Sequence, residues 1–281
     1  MIRPRNILII LLGALFFSFF PGPRAEIKEP KAGWTALSPG LWWQRWEIRE
    51  GNGSPNTLVL FRIDPSLWAM KVFFDPTPKT ITEWQEATRA TLVVNGGFYQ
   101  ENFQPAGRII ADGTYYGPAK NRHMKGMFLA EPRKGFEHLP PAVLIDLKEE
   151  GAEEKMKAYN QGLQSFPILL DPQGLVRVNP STFQANRTAV AEDLEGKIYF
   201  LITERPFFTL YDFGNYLKQL PVKWRMALNL DGGSRTQLAV RIHRFRYTFS
   251  GQGEGKEVSR FFSSSPVKLP SVIGVFPKGG S

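Results

Sequence analysis

The chain has 281 residues, 42% of them apolar and 13% aromatic, enough to bury a sizeable core and to exclude disorder as the default. It has no cysteine, which excludes disulfides, thiolate nucleophiles and thiolate-held metals, and its three histidines (His123, His138, His243) lack zinc-site spacing. The formal charge of +9 comes from scattered Lys and Arg rather than a basic stripe interleaved with aromatics, which fits an anionic substrate or envelope and not nucleic acid.

At the N-terminus, Arg3 and Arg5 precede an apolar run from Ile7 to Phe20 that Pro21-Gly22-Pro23 closes. This is the layout of a secretory signal, short for a membrane span, with cleavage expected after Ala25 and an uncleaved anchor as the alternative. The reading is therefore an exported protein, periplasmic or secreted, with no stable membrane span once the signal is removed. Without cysteine it carries no lipoprotein anchor.

The mature chain opens on β-rich sequence. Leu58 to Ile63 and Trp68 to Phe74, joined by Asp64-Pro65-Ser66, predict a hairpin or sheet pair. Thr80-Ile81-Thr82-Glu83 is a capping box opening a short helix. From Tyr99 to His138 turn signals dominate, the mark of a functional region or of short strands, Lys125 to Leu129 being one such strand; Glu149 to Asn160 reads as a solvated helix. Strands are expected at Leu175 to Val178 and Lys197 to Thr203, and a helix capped at Thr209 runs to Pro221. The last forty residues alternate as strands around a polar loop at Gly251 to Ser259. Nothing resembles a linker. The expected fold is α+β: a mixed, mostly antiparallel β-sheet core with a few packed helices, in a single domain over 26–281.

Two stretches share one design. Val93-Val94-Asn95-Gly96-Gly97 and Leu228-Asn229-Leu230-Asp231-Gly232-Gly233-Ser234 each run from a buried strand through a polar residue into two glycines. Paired glycines allow positive φ and a sharp turn, leaving the carboxamide or carboxylate at the strand end. Arg187 and Glu204 also stand at strand ends, with Gln164 as a further case. No P-loop pattern and no Gly-x-Ser-x-Gly elbow competes.

With Pro105-Ala106-Gly107, Gln164 to Leu170, Arg187-Thr188-Ala189-Val190-Ala191 and Ile202-Thr203-Glu204-Arg205-Pro206, these segments in this order resemble the phosphodiester glycosidase family, over roughly residues 90 to 240. Two departures stand out. Phe166-Pro167 replaces a usual Gly-Pro pair, and Arg235 follows Ser234 where a small or hydroxyl residue is common.

The resemblance implies an exported hydrolase that cleaves a sugar-1-phosphodiester at the glycosidic C–O bond. The alternative is a non-catalytic carbohydrate-binding or scaffold protein of envelope polysaccharide assembly. Glycoside hydrolysis normally uses two carboxyls, but a phosphate-ester leaving group needs less protonation and more charge neutralisation. On this reading Asp231 is the first candidate base or nucleophile and Glu204 the second carboxyl. Arg187 holds the phosphate, since its guanidinium fork matches two phosphate oxygens. Asn95, Gly96, Gly97, Gln164, Gly232, Gly233 and Ser234 line the substrate site, the Gly96 and Gly97 amides as an anion nest, and His123 is a candidate general acid. Each has a structural alternative: Arg187 as an ion pair with Asp231 or Glu204, Glu204 as a solvated strand end, Asp231 tying its own turn, His123 as an exposed loop residue. No cofactor is expected; a divalent cation is left open.

Overall fold

The computed structural model describes residues 26–27, 33–49, 56–251 and 267–279. The expected signal segment and all but the first residue of the expected polar loop lie outside them. In chain order the elements are β1 (Glu26–Ile27), β2 (Thr35–Ser38), β3 (Leu41–Arg49), β4 (Asn56–Ile63), β5 (Trp68–Lys79), α1 (Ile81–Thr88), β6 (Leu92–Asn95), β7 (Ile109–Ala111), β8 (Thr114–Tyr116), β9 (Gly126–Pro132) and β10 (Ala142–Asp146). The chain continues with α2 (Ala152–Lys157), β11 (Tyr159–Ser165), β12 (Ile168–Leu170), β13 (Thr188–Asp193), β14 (Ile198–Thr203), α3 (Leu210–Leu217), β15 (Trp224–Asn229), β16 (Gln237–Ile242), β17 (Phe245–Ser250) and β18 (Leu269–Pro277).

These strands form three sheets. The largest runs β1-β3-β4-β14-β13-β15-β12, with β2 also on β3; the others run β10-β9-β11-β7-β8 and β17-β16-β6-β18-β5. Among the described residues every strand pairing is antiparallel, so the fold is predominantly β and less mixed than the sequence predicts.

Period-two alternation explains how the large sheet is buried on both faces. Val190, Phe200, Ile202 and Leu228 face a core shared with Val94 and Phe128 of the other two sheets. Ala189, Ala191, Leu201 and Ala227 face the opposite side, where Phe213 and Leu217 of α3 cover them. At the outer face of the β6 sheet, α1 packs Ile81 and Trp84 against Val93 and Val272. Its capping box is formed: Thr80 Oγ1 accepts the Glu83 amide (3.3 Å) and Glu83 Oε2 accepts the Thr80 amide (2.7 Å).

Three local expectations are corrected, and the 99–138 region is filled in. The Asp64-Pro65-Ser66 turn makes no hairpin; it carries the chain from the large sheet, where β4 pairs β3 and β14, to the sheet where β5 pairs β18. Its corner is fixed by Asp64 Oδ1, which accepts the amide (2.9 Å) and hydroxyl (2.6 Å) of Ser66. The 99–138 region holds two further strands, β7 and β8, turned through Asp112 (φ 46°) and Gly113 (φ 79°), a two-residue hairpin loop. The helix expected over 149–160 shrinks to α2, because Tyr159 onward is claimed by β11 pairing with β9. Residues 175–178 form no strand; Val176 and Val178 instead pack irregularly against the α3 side of the core.

Candidate active site

The two Gly-Gly stretches meet. Asn95 Nδ2 donates to the Asp231 carbonyl (2.9 Å), and the Asp231 amide donates to the Gly96 carbonyl (3.3 Å). Asn95 is fully buried, and its Oδ1 also accepts from Thr188 Oγ1 (2.9 Å) and the Gln237 amide (3.1 Å). One carboxamide thus joins the ends of β6 and β13, the start of β16 and the turn after β15. Its side chain is a staple, where the sequence reading gave it a substrate contact.

The glycines are required mainly by close approach rather than by turning. A Cβ on Gly96 would stand 2.9 Å from the Ser271 carbonyl, one on Gly97 3.0 Å from the Gln164 carbonyl, and one on Gly232 2.9 Å from the Asn186 carbonyl. Of these motif glycines Gly233 alone takes positive φ (63°), where it opens a 3-10 turn, Gly233–Arg235. The Gly96 amide is given to the Ser271 carbonyl (3.0 Å), which removes it from the expected anion nest.

Asp231 lies two residues beyond β15, 8% exposed. Other buried acids are well solvated by the protein. Asp171 Oδ1 accepts two backbone amides and Oδ2 takes Arg177 (3.2 Å). Asp193 Oδ1 accepts two amides and Oδ2 the Tyr199 hydroxyl. Glu192 Oε2 accepts the Leu144 amide and the Arg225 guanidinium. Among the described residues Asp231 has the Gly232 amide on Oδ1 (2.9 Å) and the Arg235 guanidinium 3.6 Å from Oδ2. Burial therefore dominates, pushing its carboxyl up to about 7, and Arg235 and the Gly232 amide oppose this only in part.

Arg187 is buried at the start of β13. Its Nε donates to the Phe208 carbonyl (2.8 Å) and its Nη2 to the Phe183 carbonyl (2.7 Å). Nη1 lies 4.0 Å from where a Cβ on Gly232 would stand, so the charge sits behind the Asp231 turn. Glu204 points elsewhere. Its Oε2 pairs with Arg45 (2.8 Å) and its Oε1 accepts from the Tyr247 hydroxyl (2.9 Å), on the face of the large sheet opposite the Phe208 side that holds Arg187. Alternation is the reason: Arg187 shares the parity of Ala189, and Glu204 that of Ile202. The expected cluster of Asp231, Arg187 and Glu204 thus reduces to Asp231 and Arg187.

Gln164 turns its side chain inward, accepting the Arg108 amide on Oε1 (3.0 Å) and setting Nε2 against Met156 Sδ (3.7 Å). Only its carbonyl meets the Gly97 turn. His123 is exposed, and its amide is held by Asn121 Oδ1 (2.9 Å). Ser234 is half-buried in the 3-10 turn beside Asp231. Two neighbours escaped the sequence reading as site residues. Tyr99 accepts Arg235 Nε on its hydroxyl (2.9 Å), with the guanidinium 5.2 Å from its ring centre. Phe183 stands 52% exposed, its ring 5.6 Å from the Arg187 guanidinium. Tyr99 was already inside the Asn95-Gly96-Gly97 motif, and Arg235 was visible as the departure after Ser234. Among the described residues no three His, Asp or Glu side chains gather as a metal site.

Fold and site together define a three-sheet antiparallel β protein with a buried, sparsely hydrogen-bonded carboxyl held where two Gly-Gly turns abut. The chain belongs to the phosphodiester glycosidase family, whose sequence profile matches residues 88–276. The catalytic domain of zebrafish N-acetylglucosamine-1-phosphodiester alpha-N-acetylglucosaminidase, auto-inhibited by its pro-peptide, has a similar fold: TM-score 0.61 at 16% identity, over 90% of this chain and 88% of that one. A hypothetical protein from Synechocystis aligns with TM-score 0.56 at 16% identity, over 89% of this chain and 64% of that one. No curated protein matches the chain by sequence.

Proposed function

We propose that the protein is an exported hydrolase of glycosyl-1-phosphodiesters in envelope or extracellular glycoconjugates, cleaving the glycosidic C–O bond, with Asp231 as its reactive carboxyl. The observation that carries this reading is Asp231 itself: a buried acid that accepts one amide and has a guanidinium 3.6 Å away, its carboxyl pushed up to about 7, where a general base works best at neutral pH. Family membership supplies the reaction class.

In this scheme Asp231 takes the proton from a water that attacks the anomeric carbon. The leaving group is a phosphate monoester, stable as an anion, so it departs without a second protein acid. What it needs is positive charge, and Arg187, fixed behind Gly232 by two carbonyls, provides a permanent one. Glu204, already paired with Arg45 on the far face, has no assigned step. Export rests on the N-terminal Arg3-to-Ala25 segment alone.

Hydrolysis of a sugar-1-phosphodiester in ¹⁸O-labelled water tests the proposal. The label is expected in the free sugar; label in the phosphate would mean P–O cleavage and would overturn the assignment. Saturable binding without product would move the chain to a non-catalytic carbohydrate-binding role.

A further inference from the structure

Phe98 and Phe166 form an aromatic pair that the core does not use. Their ring centres are 4.5 Å apart, both side chains are half-buried, and among the described residues neither joins a hydrophobic core cluster. Each is tied to one of the two Gly-Gly motifs. Phe98 follows Gly97 directly, and the Phe166 carbonyl accepts Nδ2 of Asn229 (2.9 Å), two residues before Asp231. The Pro167 carbonyl accepts the Asn229 amide (3.0 Å), so Phe166 is fixed to the end of β15 from its β12 side. Strand order then places the pair. The large sheet runs β13-β15-β12, and Asn229 pairs with Ala189 of β13. At this end of the sheet Arg187 and Phe166 flank the 229–231 segment from opposite sides, each about 5 Å away, one strand spacing. Cation, carboxyl and aromatic pair stand in that order. Asn229 itself is buried, and its Oδ1 has no partner among the described residues. An acceptor left open there calls for a hydroxyl donor, which a purely apolar guest lacks.

We propose that Phe166, backed by Phe98, is the platform on which the glycosyl ring stacks, so that the substrate lies across Asp231 with its phosphate towards Arg187 and its sugar on the aromatic pair. The inference rests on the glycosyl-phosphodiester reading above. Its physical basis is the match of two faces. One face of a pyranose presents C–H groups, and the face of an aromatic ring is electron-rich, so stacking buries apolar area and leaves the hydroxyls at the rim free to hydrogen-bond. The platform also sets direction: the anomeric carbon, which joins sugar to phosphate, falls between the two flanks, where Asp231 stands. Phe183 is exposed as well, but it stands on the Arg187 side with its ring against that guanidinium (5.6 Å), which assigns it to the phosphate end. Phe166 is one of the chain's two departures from the family pattern. The platform is therefore a specificity feature of this chain.

Ligand-observed NMR titration of the full chain with the methyl α-glycosides of glucose, galactose, mannose and N-acetylglucosamine tests this. The wild type is expected to bind at least one of them, with saturation transfer strongest to the ring C–H protons. Phe166→Leu keeps the apolar bulk and removes the ring face, and should bind that glycoside at least about ten-fold more weakly. Phe166→Trp should retain the affinity, and Phe183→Leu should leave it unchanged. Thermal melting checks that Phe166→Leu is folded; if it is not, Phe98→Leu takes its place with the same expected direction. No glycoside bound by the wild type, unchanged affinity in the folded Phe166→Leu, or an equal loss in Phe183→Leu would overturn the inference. The probes carry no phosphate, so the two readings fail separately. Glycoside binding that depends on Phe166, with no hydrolysis of a sugar-1-phosphodiester, would sink the proposed activity and leave the platform standing. Hydrolysis with an unchanged KM in Phe166→Leu would do the reverse.

Discussion

At the residue scale the site is defined by how poorly Asp231 is satisfied. Four buried acids stand in the described structure, and three of them each accept at least two hydrogen bonds from protein donors. Asp231 does not, and its carboxyl is raised from 3.8 to about 7. The linkage has a definite sign. The folded state holds a proton that the unfolded state has lost above pH 4, so this contribution is fully present below about pH 4 and disappears as pH rises through about 7. At higher pH the ionised acid costs up to about 4 kcal/mol. Asp231→Asn should therefore flatten the decline in stability between pH 4 and 7 and raise the melting temperature at pH 8, as read by thermal unfolding across that range. An unchanged pH dependence would mean that Asp231 is not buried as described. Conversely, Glu204→Gln should keep turnover within about three-fold, because its partners Arg45 and Tyr247 are remote from Arg187, and should change stability by about 1 kcal/mol or less.

At the element scale, the Asp231 turn depends on four strand ends held together by Asn95. Removing that side chain orphans buried groups on Thr188, Gln237 and Asp231 at once. Asn95→Ala is expected to cost about 2–4 kcal/mol in denaturant unfolding and to reduce turnover as well, since the Asp231 backbone loses its tether. Gly96→Ala should act similarly by forcing β6 from the Ser271 carbonyl. Thr80→Ala, which removes the α1 cap on the far side of the β6 sheet, should cost about 1 kcal/mol and leave turnover intact.

How much of this was legible follows from the range of each signal. The helix caps at Thr80 and Thr209, the buried runs of β14 and β15 and the paired Gly-Gly turns are local, and residue pattern alone finds them. That the two turns abut is not a local signal: Asn95 and Asp231 are 136 positions apart, and the register of β16 on β6 brings them together. The same period-two alternation that identifies strands also separates Glu204 from Arg187, but it could not be applied before Thr188 and Ile202 were known to pair. The Asp64 corner failed for a related reason: a tight turn between two apolar strands reads alike whether the strands pair or part to different sheets.

For the whole molecule, the three sheets meet in one buried cluster that includes Leu230, the residue before Asp231. If Asp231 is the base, kcat/KM should rise with pH through about 7 and level above it, with the midpoint moving upward in Arg235→Gln. The central claim, that Asp231 performs the chemistry, is tested most directly by single-turnover hydrolysis of an N-acetylglucosamine-1-phosphodiester by the wild type and Asp231→Asn at matched, saturating enzyme. Loss of about 10²–10⁴ in rate with substrate still bound is the predicted result; a variant that cleaves at the wild-type rate would contradict it.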